Sequence, residues 1–283
     1  MTTLHHQAER PVRTDVSARV TYDSTTKRPR LGPARRVPFG RLLGPVLLVA
    51  VWSITAGAGW LDQNDFPAPW QVVDKAIELT QQGVLGDNLL VSFRRAMIGL
   101  ALGVAAGLVL ALVSGLSRLG EAVIDGPLQI WRAIPALAVI PLAIIWLGIG
   151  EEMKITLIAA ATMIPVYINT AADLSGVDVR YAELAETLGL RRSEFIRKIA
   201  LPNALPGFFT GLRLSATVAW LVLVVVEQTN ASSGLGYMMT FARSLSQLDV
   251  ITVGLAVYAI LGLTTDTLVR ILERRALRWR KTM

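Results

Sequence analysis

The sequence contains no cysteine and only two histidines, and charged residues make up 17% of its 283 positions. Without cysteine the chain cannot form a disulfide framework, a thiolate metal site or a cysteine nucleophile. His5 and His6 lie in a polar N-terminal segment, and the sequence shows no nucleophile–base arrangement and no metal-ligand spacing. We therefore predict neither a catalytic centre nor a metal site.

The hydrophobic residues, 53% of the chain, form long continuous runs in which polar and apolar positions do not alternate. A helix needs about 20 apolar residues to cross a bilayer, and lipid offers an exposed backbone no hydrogen-bond partners. Alternation would have indicated barrel strands instead. We predict an all-α integral membrane protein with six transmembrane helices at about residues 42–60, 90–116, 122–149, 155–171, 205–226 and 250–269.

Two of these spans contain residues that shape helix packing. Gly99 and Gly103 form a G-x-x-x-G pattern, which indicates that two helices pack closely. Pro127, Pro135 and Pro141 interrupt the third predicted span. Because proline removes a helical hydrogen bond, these residues predict a kink or break in that span.

The basic residues predict how the chain is oriented in the membrane. The net charge is +7, and lysine and arginine are concentrated in residues 1–41, 173–204 and 271–283. Because basic flanks favour the cytoplasmic side, we expect both termini and the 173–204 loop in the cytoplasm of a multi-pass protein of the bacterial plasma membrane. This reading explains the positive charge without nucleic-acid binding. Residues 61–88 are acidic and are expected outside, with an amphipathic helix near residues 72–80.

The same pattern divides the chain into regions. We interpret residues 1–41 as a disordered cytoplasmic tail, 42–60 as the first transmembrane helix, 61–88 as an external segment, 89–270 as the core domain and 271–283 as a basic cytoplasmic tail. Binding of the N-terminal tail to anionic lipid is an alternative to a role in topology alone.

The loop between the fourth and fifth predicted spans contains a conspicuous motif. It consists of Glu183-Leu184-Ala185-Glu186-Thr187-Leu188-Gly189 and, after nine further residues, Ile199-Ala200-Leu201-Pro202. We predict that Gly189 ends a first short helix in the left-handed conformation. Ser193 is predicted to cap a second helix that starts near Glu194. Pro202 is predicted to stop this helix before the fifth span.

This motif resembles the EAA loop of ABC-importer permeases, except that Leu184 replaces the first alanine of the pattern. Other segments resemble the nitrate/sulfonate/taurine importer permeases, and the aliphatic-sulfonate type most closely, over about residues 62–280. These segments are Ser92-Phe93-Arg94-Arg95, Trp131-Arg132-Ala133-Ile134-Pro135, Leu147-Gly148-Ile149-Gly150, Pro165-Val166-Tyr167-Ile168-Asn169-Thr170, Gly211-Leu212-Arg213 and Ser233-Gly234-Leu235-Gly236-Tyr237.

The resemblance implies a type I ABC-importer permease fold and a transport subunit that works as a homodimer. Its other implied partners are membrane lipid, an external solute-binding protein and two cytoplasmic subunits that bind ATP and Mg. The implied substrate is a small organic anion such as an aliphatic sulfonate or taurine, with nitrate or a pyrimidine or thiamine precursor as alternatives. The implied coupling residues are Glu183, Ala185, Gly189, Ile199, Leu201 and Pro202.

The sequence supports this division of labour independently, because it contains no G-x-x-x-x-G-K-[S/T] phosphate-binding loop. We therefore expect no ATPase site and no cofactor in this chain. Two other protein classes are the alternatives. An integral-membrane enzyme would need a cluster of reactive polar residues at one depth, and an ion-coupled carrier usually has more spans and internal repeats.

Charged residues within the predicted spans are candidates for the translocation pathway. Placing a charge in a membrane costs free energy, so such residues usually have a function. Arg132 or Arg213 could attract an anion, since a guanidinium group matches the oxygens of a sulfonate. Asn169 could supply neutral hydrogen bonds. A structural ion pair between Arg213 and Asp266, which are predicted at similar depth, is the competing interpretation for Arg213.

Three charged residues lie near the predicted outer surface. Glu227, at the outer end of the fifth span, is the fourth candidate for the pathway; it would repel an anion and is expected to anchor a gate or contact a partner. Arg94 and Arg95, at the outer end of the second span, are expected to extend to lipid headgroups or to lie on an interfacial helix.

Overall fold

The computed structural model describes residues 40–60 and 66–279. Residues 1–39, nearly all of the predicted N-terminal tail, lie outside the described part of the chain, as do residues 61–65 and 280–283. The chain divides into two compact units, Met1–Leu48 and Val49–Met283. The first unit is described only from residue 40, where helix α1 begins, and the second holds every later helix.

All regular elements in the described residues are helices, in agreement with the predicted fold class. They are α1 Gly40–Gly57, α2 Pro69–Gln81, α3 Val84–Leu116, α4 Arg118–Ala133, α5 Ala136–Leu147, α6 Glu151–Ser175, α7 Val179–Thr187, α8 Arg192–Phe195, α9 Leu201–Asn230, α10 Leu235–Ser244 and α11 Leu248–Ala276. A π-helical turn, Ile196–Ala200, joins α8 to α9.

Four helical stretches are long and apolar enough to cross a membrane: Val84–Leu116, Glu151–Ser175, Arg192–Asn230 and Leu248–Ala276. They contain the second, fourth, fifth and sixth predicted spans. The α4–α5 pair, at the position of the third predicted span, adds a fifth if one bent pair is counted as one span. The apolar helix at the position of the first predicted span, Leu43–Gly57, is shorter. The count of six spans therefore stays a prediction.

The predicted interruption of the third span is a sharp bend of 112° between α4 and α5. Pro127 and Pro141 lie inside the two helices, and the chain leaves the helical conformation at Ile134, with φ −83° and ψ 121°. Ile134 precedes Pro135, and the residue before a proline is sterically disfavoured in the α conformation. Of the three prolines, Pro135 therefore causes the break.

The core of the second unit is built by α6, which packs against both α3 and α9. Glycines make this packing close, as the G-x-x-x-G pattern predicts. A Cβ atom on Gly99 of α3 would lie 2.5 Å from Ile158 Cγ2 of α6, and one on Gly211 of α9 would lie 2.7 Å from the carbonyl oxygen of Pro165. Helices α3 and α9 can approach α6 this closely only because these positions lack side chains.

The predicted external helix is present as α2 and is amphipathic. Val72 and Leu79 are buried in a cluster with Leu235 of α10 and Val253 of α11. This packing fixes the segment between α1 and α3 to the same group of helices as α10 and α11.

Candidate functional site

The first half of the candidate coupling loop (residues 173–204) is the helix α7, Val179–Thr187. Asp178 caps its start by accepting a hydrogen bond from Arg180 N at 3.0 Å. Gly189 follows the helix with φ +63°, and Leu190 N donates to Ala185 O at 2.9 Å. The prediction that Gly189 ends this helix in the left-handed conformation is confirmed. The site has open space around it, so glycine is favoured here by its backbone freedom.

The second half of the loop differs from the prediction in two ways. Arg191, not Ser193, is the N-cap, because α8 begins at Arg192 and the Arg191 N–H donates to Glu194 Oε2 at 3.1 Å. Pro202 does not stop a helix: the chain stays helical from Arg192 to Asn230. The wider π-helical turn just before Pro202 accommodates a residue without an N–H donor, where a regular α-helical register would be disrupted.

The six predicted coupling residues are distributed between the surface and the interior of the loop. Glu183, Gly189 and Leu201 are exposed, Ile199 and Pro202 are half-buried, and Ala185 is buried. Their functional role stays a prediction. The exposed residues are accessible to a partner, whereas the buried Ala185 packs inside the protein.

Helix α7 also presents an apolar surface that the motif alone did not indicate. Tyr181 and Leu184 of α7 and Leu188, the C-cap residue that follows it, are all exposed and lie on one side of the helix, because their spacing is i, i+3 and i+7. The replacement of alanine by Leu184 therefore enlarges an exposed apolar face. The three-and-four spacing in the sequence could have revealed this surface.

The loop is tied to the long helices on both sides. Arg192 Nη2 donates to the carbonyl oxygen of Leu116, at the end of α3, at 2.9 Å. Asp173 Oδ2 accepts a hydrogen bond from Gly207 N of α9 at 2.6 Å. Leu174 and Ala204 are buried together in an apolar cluster. A displacement of the loop must therefore act on the ends of α3, α6 and α9.

The candidate pathway residue Arg132 lies at the end of α4, next to the bend. With Trp131 it lines a pocket of about 310 Å³, whose opposite wall is formed by α6 residues such as Leu157 and Ile164. Arg132 is exposed and has no ion-pair partner among the described residues. A guanidinium group in an apolar pocket can attract an anion, so the role of Arg132 in the pathway stays a prediction.

Asn169 and Arg213 lie elsewhere. Asn169 Nδ2 donates to the carbonyl oxygen of Pro165 in its own helix at 2.8 Å, and this residue does not line the Arg132 pocket. Arg213 forms the predicted ion pair with Asp266, with Nε–Oδ1 at 2.5 Å. Arg270, which is not among the predicted site residues, binds the other carboxylate oxygen at 2.7 Å. The i,i+4 spacing of Asp266 and Arg270 is the signal that could have found it.

The prediction for Arg95 is wrong. Its side chain is not at a lipid interface: the residue is 2% exposed and pairs with two glutamates. Arg95 Nε and Nη2 donate to Glu151 at 2.6 and 2.5 Å, and Nη1 donates to Glu227 at 2.7 Å. The neighbouring Arg94 is exposed.

Glu227, only 1% exposed, is the centre of this arrangement. Its carboxylate also accepts hydrogen bonds from Ser92 Oγ, from Gly236 N at 2.9 Å and from Tyr258 OH at 3.1 Å. Lys154 Nζ donates to Glu151 Oε1 at 2.9 Å. We call the following residues the Glu227 cluster: Ser92, Arg95, Glu151, Lys154, Glu227 and Tyr258. Two positive and two negative charges make it formally neutral, and burial of charges is tolerated when they are paired and hydrogen-bonded.

The cluster holds the start of α10 in place. Arg95 Nη1 donates to Ser233 O at 2.6 Å, and Leu235 N donates to Ser92 Oγ at 2.8 Å. Gly234 has φ +110°, and a Cβ atom there would lie 2.7 Å from Arg95 Nη1. The backbone of the Ser233–Tyr237 motif is therefore the segment that hydrogen-bonds to the buried side chains of the Glu227 cluster.

Comparison with known proteins agrees with this architecture. The family of binding-protein-dependent transport system inner membrane components matches residues 103–278. The chain is 41% identical to the protein assigned as aliphatic sulfonates transport permease SsuC of Bacillus subtilis (strain 168), over 85% of this chain and 87% of that protein. It is also 41% identical to the SsuC protein of Escherichia coli (strain K12), over 83% and 89% of the two chains.

Two further similarities are more distant. The taurine transport system permease protein TauC of Escherichia coli (strain K12) is 33% identical, over 82% of this chain and 86% of that protein. A crystal structure of an amino acid ABC transporter with histidines aligns with a TM-score of 0.61 at 18% identity, over 71% of this chain and 97% of that chain. This structural likeness supports the fold alone.

The family match, the close relatives and the all-helical structure confirm the resemblance inferred from the motifs. The chain belongs to the family of inner-membrane permease components of binding-protein-dependent ABC transport systems.

Proposed function

We propose that this chain is the membrane-spanning subunit of an ATP-driven importer that moves an aliphatic sulfonate or taurine into the cytoplasm. The observation that carries the coupling role is the exposed apolar face of α7 on a loop that is hydrogen-bonded to the ends of α3 and α9. The relatives that are named for sulfonates and taurine favour these substrates over nitrate or a pyrimidine or thiamine precursor.

In this proposal the ATP-binding subunits carry ATP and Mg, and each contacts one permease through Tyr181, Leu184 and Leu188. Burial of exposed apolar side chains provides the driving force for docking. Closure of the two ATP-binding subunits then displaces the loop, and the contacts of Arg192 and Asp173 transmit the displacement to the spans. The coupling set remains Glu183, Ala185, Gly189, Ile199, Leu201 and Pro202.

The complete transporter contains a second copy of this chain and an external solute-binding protein, and it works in the lipid bilayer of the bacterial plasma membrane. Both termini and the coupling loop face the cytoplasm, because the basic residues flank the same ends of the spans. The substrate anion passes the Arg132 pocket, where the guanidinium group offsets its charge.

The test uses a deletion strain that carries either the native chain or a variant and grows on taurine or ethanesulfonate as the only sulfur source. The substitution Gly189→Asp places a side chain and a charge at a residue with φ +63° on the docking surface. We expect normal membrane insertion but loss of growth and of ATP-dependent uptake. Growth on sulfate should be unaffected.

Gly83→Asp is the matched control, because Gly83 has φ +77° and open space around it but lies between α2 and α3. It introduces the same side chain at a residue with a similarly positive φ and should leave uptake intact. Normal uptake by the Gly189 variant would reject the coupling role. The proposed substrate class would be wrong if the native chain supported growth on neither taurine nor ethanesulfonate but did support uptake of nitrate.

A further inference from the structure

A second cluster of charged side chains joins α9 to the C-terminal end of α11, and it differs from the Glu227 cluster. Asp266 accepts from Arg213 Nε through Oδ1 at 2.5 Å and from Arg270 Nε through Oδ2 at 2.7 Å. We call these three residues the Asp266 cluster. One carboxylate thus holds two guanidinium groups, and each of them uses only its Nε atom.

The terminal nitrogen atoms of both guanidinium groups are available. Within residues 40–60 and 66–279, Nη1 and Nη2 of Arg213 and of Arg270 donate no hydrogen bond to any acceptor. Two positive charges and one negative charge leave the cluster with a formal charge of +1. The side chains are reachable, since Arg213 is 43% exposed and Arg270 is 28% exposed. Free donors with a positive charge can bind an oxyanion.

The surface around the cluster changes from apolar to basic along one face of α11. Leu263 is 63% exposed, and Arg270 and Arg274 follow it at i+7 and i+11 on the same face. Seven residues of helix correspond to about 10 Å along the axis. Exposed Trp279 lies beyond them, as is typical of a membrane–water interface. This face matches the transition from acyl chains to headgroups.

We propose that the Asp266 cluster binds the phosphate group of an anionic phospholipid, in the leaflet on the C-terminal side of α11. In the proposed topology this is the cytoplasmic leaflet. Guanidinium groups bind phosphate oxygens with two parallel hydrogen bonds, and basic pockets between transmembrane helices on this side bind anionic headgroups. Asp266 fixes the direction of both arginines before the lipid arrives, so less side-chain freedom is lost on binding.

A sulfonate substrate offers the same chemistry, a tetrahedral group with negatively charged oxygens. The exposed Leu263 and Ile260 on the adjoining surface favour the phospholipid, because its acyl chains would cover them. Lipid binding at this site does not depend on which solute is transported, and it can be measured without transport.

In the experiment, the purified full-length chain in dodecyl maltoside micelles is titrated with phosphatidylglycerol or with phosphatidylcholine. The thermal unfolding midpoint is measured at each lipid concentration, and native mass spectrometry counts the bound lipid. We expect phosphatidylglycerol, but not phosphatidylcholine, to bind and to raise the midpoint. The substitution Arg270→Gln should weaken phosphatidylglycerol binding by about ten-fold, because it removes charge-assisted hydrogen bonds.

Arg275→Gln is the matched control, since Arg275 is an exposed arginine in the same last turns of α11 without an ion pair among the described residues. It should weaken binding by no more than about five-fold, the contribution of one basic residue to general attraction. Arg270→Lys keeps the charge but not the paired donors and should fall between the two. Equal losses for the Arg270→Gln and Arg275→Gln variants would overturn the proposal.

A separate arm adds ethanesulfonate to the protein in dodecyl maltoside micelles, once without added lipid and once with bound phosphatidylglycerol. We expect no change in the midpoint for the native chain. If ethanesulfonate stabilises the native chain, displaces phosphatidylglycerol and has no effect on the Arg270→Gln variant, the cluster is a substrate site and the lipid proposal is wrong. Neither outcome bears on the coupling role of the loop, which Gly189→Asp tests separately.

Discussion

The Glu227 cluster and the Asp266 cluster use the same chemical groups in two different environments. Around Glu227 the charges balance, and Arg95, Lys154 and Glu227 have almost no exposed side-chain surface, whereas the fourth charged residue, Glu151, is 56% exposed. Around Asp266 one positive charge is in excess and every side chain is at least 28% exposed. The role of an arginine–carboxylate pair therefore depends on how deeply it is buried and on whether its charges balance.

The difference in connectivity is equally large. The Glu227 cluster joins α3, α6, α9, α11 and the start of α10, so its loss would affect most of the helix packing on that side. The Asp266 cluster joins only α9 and α11. We interpret the first as a structural centre and the second as a surface that can accept a ligand.

The largest effect is expected for Glu227→Gln. This change removes one negative charge next to buried Arg95. It also replaces a carboxylate oxygen by an amide N–H2 group, which would face groups that themselves donate hydrogen bonds, such as Gly236 N. Breaking a buried ion pair typically costs about 3–5 kcal/mol. We expect a loss of this size in the free energy of unfolding, measured by denaturant titration in detergent.

Glu152→Gln serves as the control for that substitution, since Glu152 is exposed in the first turn of α6 and has no ion-pair partner among residues 40–60 and 66–279. Its effect should be small, because exposed charges contribute about 0–1 kcal/mol. Equal stability of the two variants would show that the Glu227 cluster is not a structural centre.

An intermediate effect is expected for Gly236→Ala, which tests the close fit of α10 rather than the charges. The new Cβ atom would lie 2.5 Å from Glu227 Cβ, so the helix start must shift. Overpacking of this kind costs about 1–3 kcal/mol. In contrast, Gly262→Ala in α11 meets open space and should stabilise its helix by up to about 1 kcal/mol. A Gly236 variant as stable as the Gly262 variant would contradict the close fit.

The two clusters also show which parts of the structure the sequence could predict. The Arg213–Asp266 pair was predictable because antiparallel spans place the two residues at similar depth. Arg95 was not, because its partner Glu227 is 132 positions away and adjacent residues on a helix point about 100° apart. That geometry lets Arg94 face outward while Arg95 faces the bundle, and only tertiary packing decides which one is buried.

The coupling loop divides in the same way. Gly189 was predictable because a left-handed helix end follows from local backbone preferences. The continuous helix through Pro202 was not, because it depends on a π-helical turn that the general rule for proline does not anticipate. Hydrophobic length predicted the second, fourth, fifth and sixth spans. The prolines predicted an interruption of the third span, but the sequence did not single out Pro135 as its position.

The smallest effect is expected for Asp266→Asn. Although this change breaks two ion pairs, Arg213 and Arg270 are partly exposed and can be solvated by water or headgroups once they are released. Partly exposed pairs contribute about 0–1 kcal/mol, and added salt screens them further. We expect a loss below about 1 kcal/mol in the free energy of unfolding that shrinks further at high salt. A loss as large as that of Glu227→Gln, unaffected by salt, would mean that the Asp266 cluster is also a structural centre and that the two regions differ in exposure but not in role.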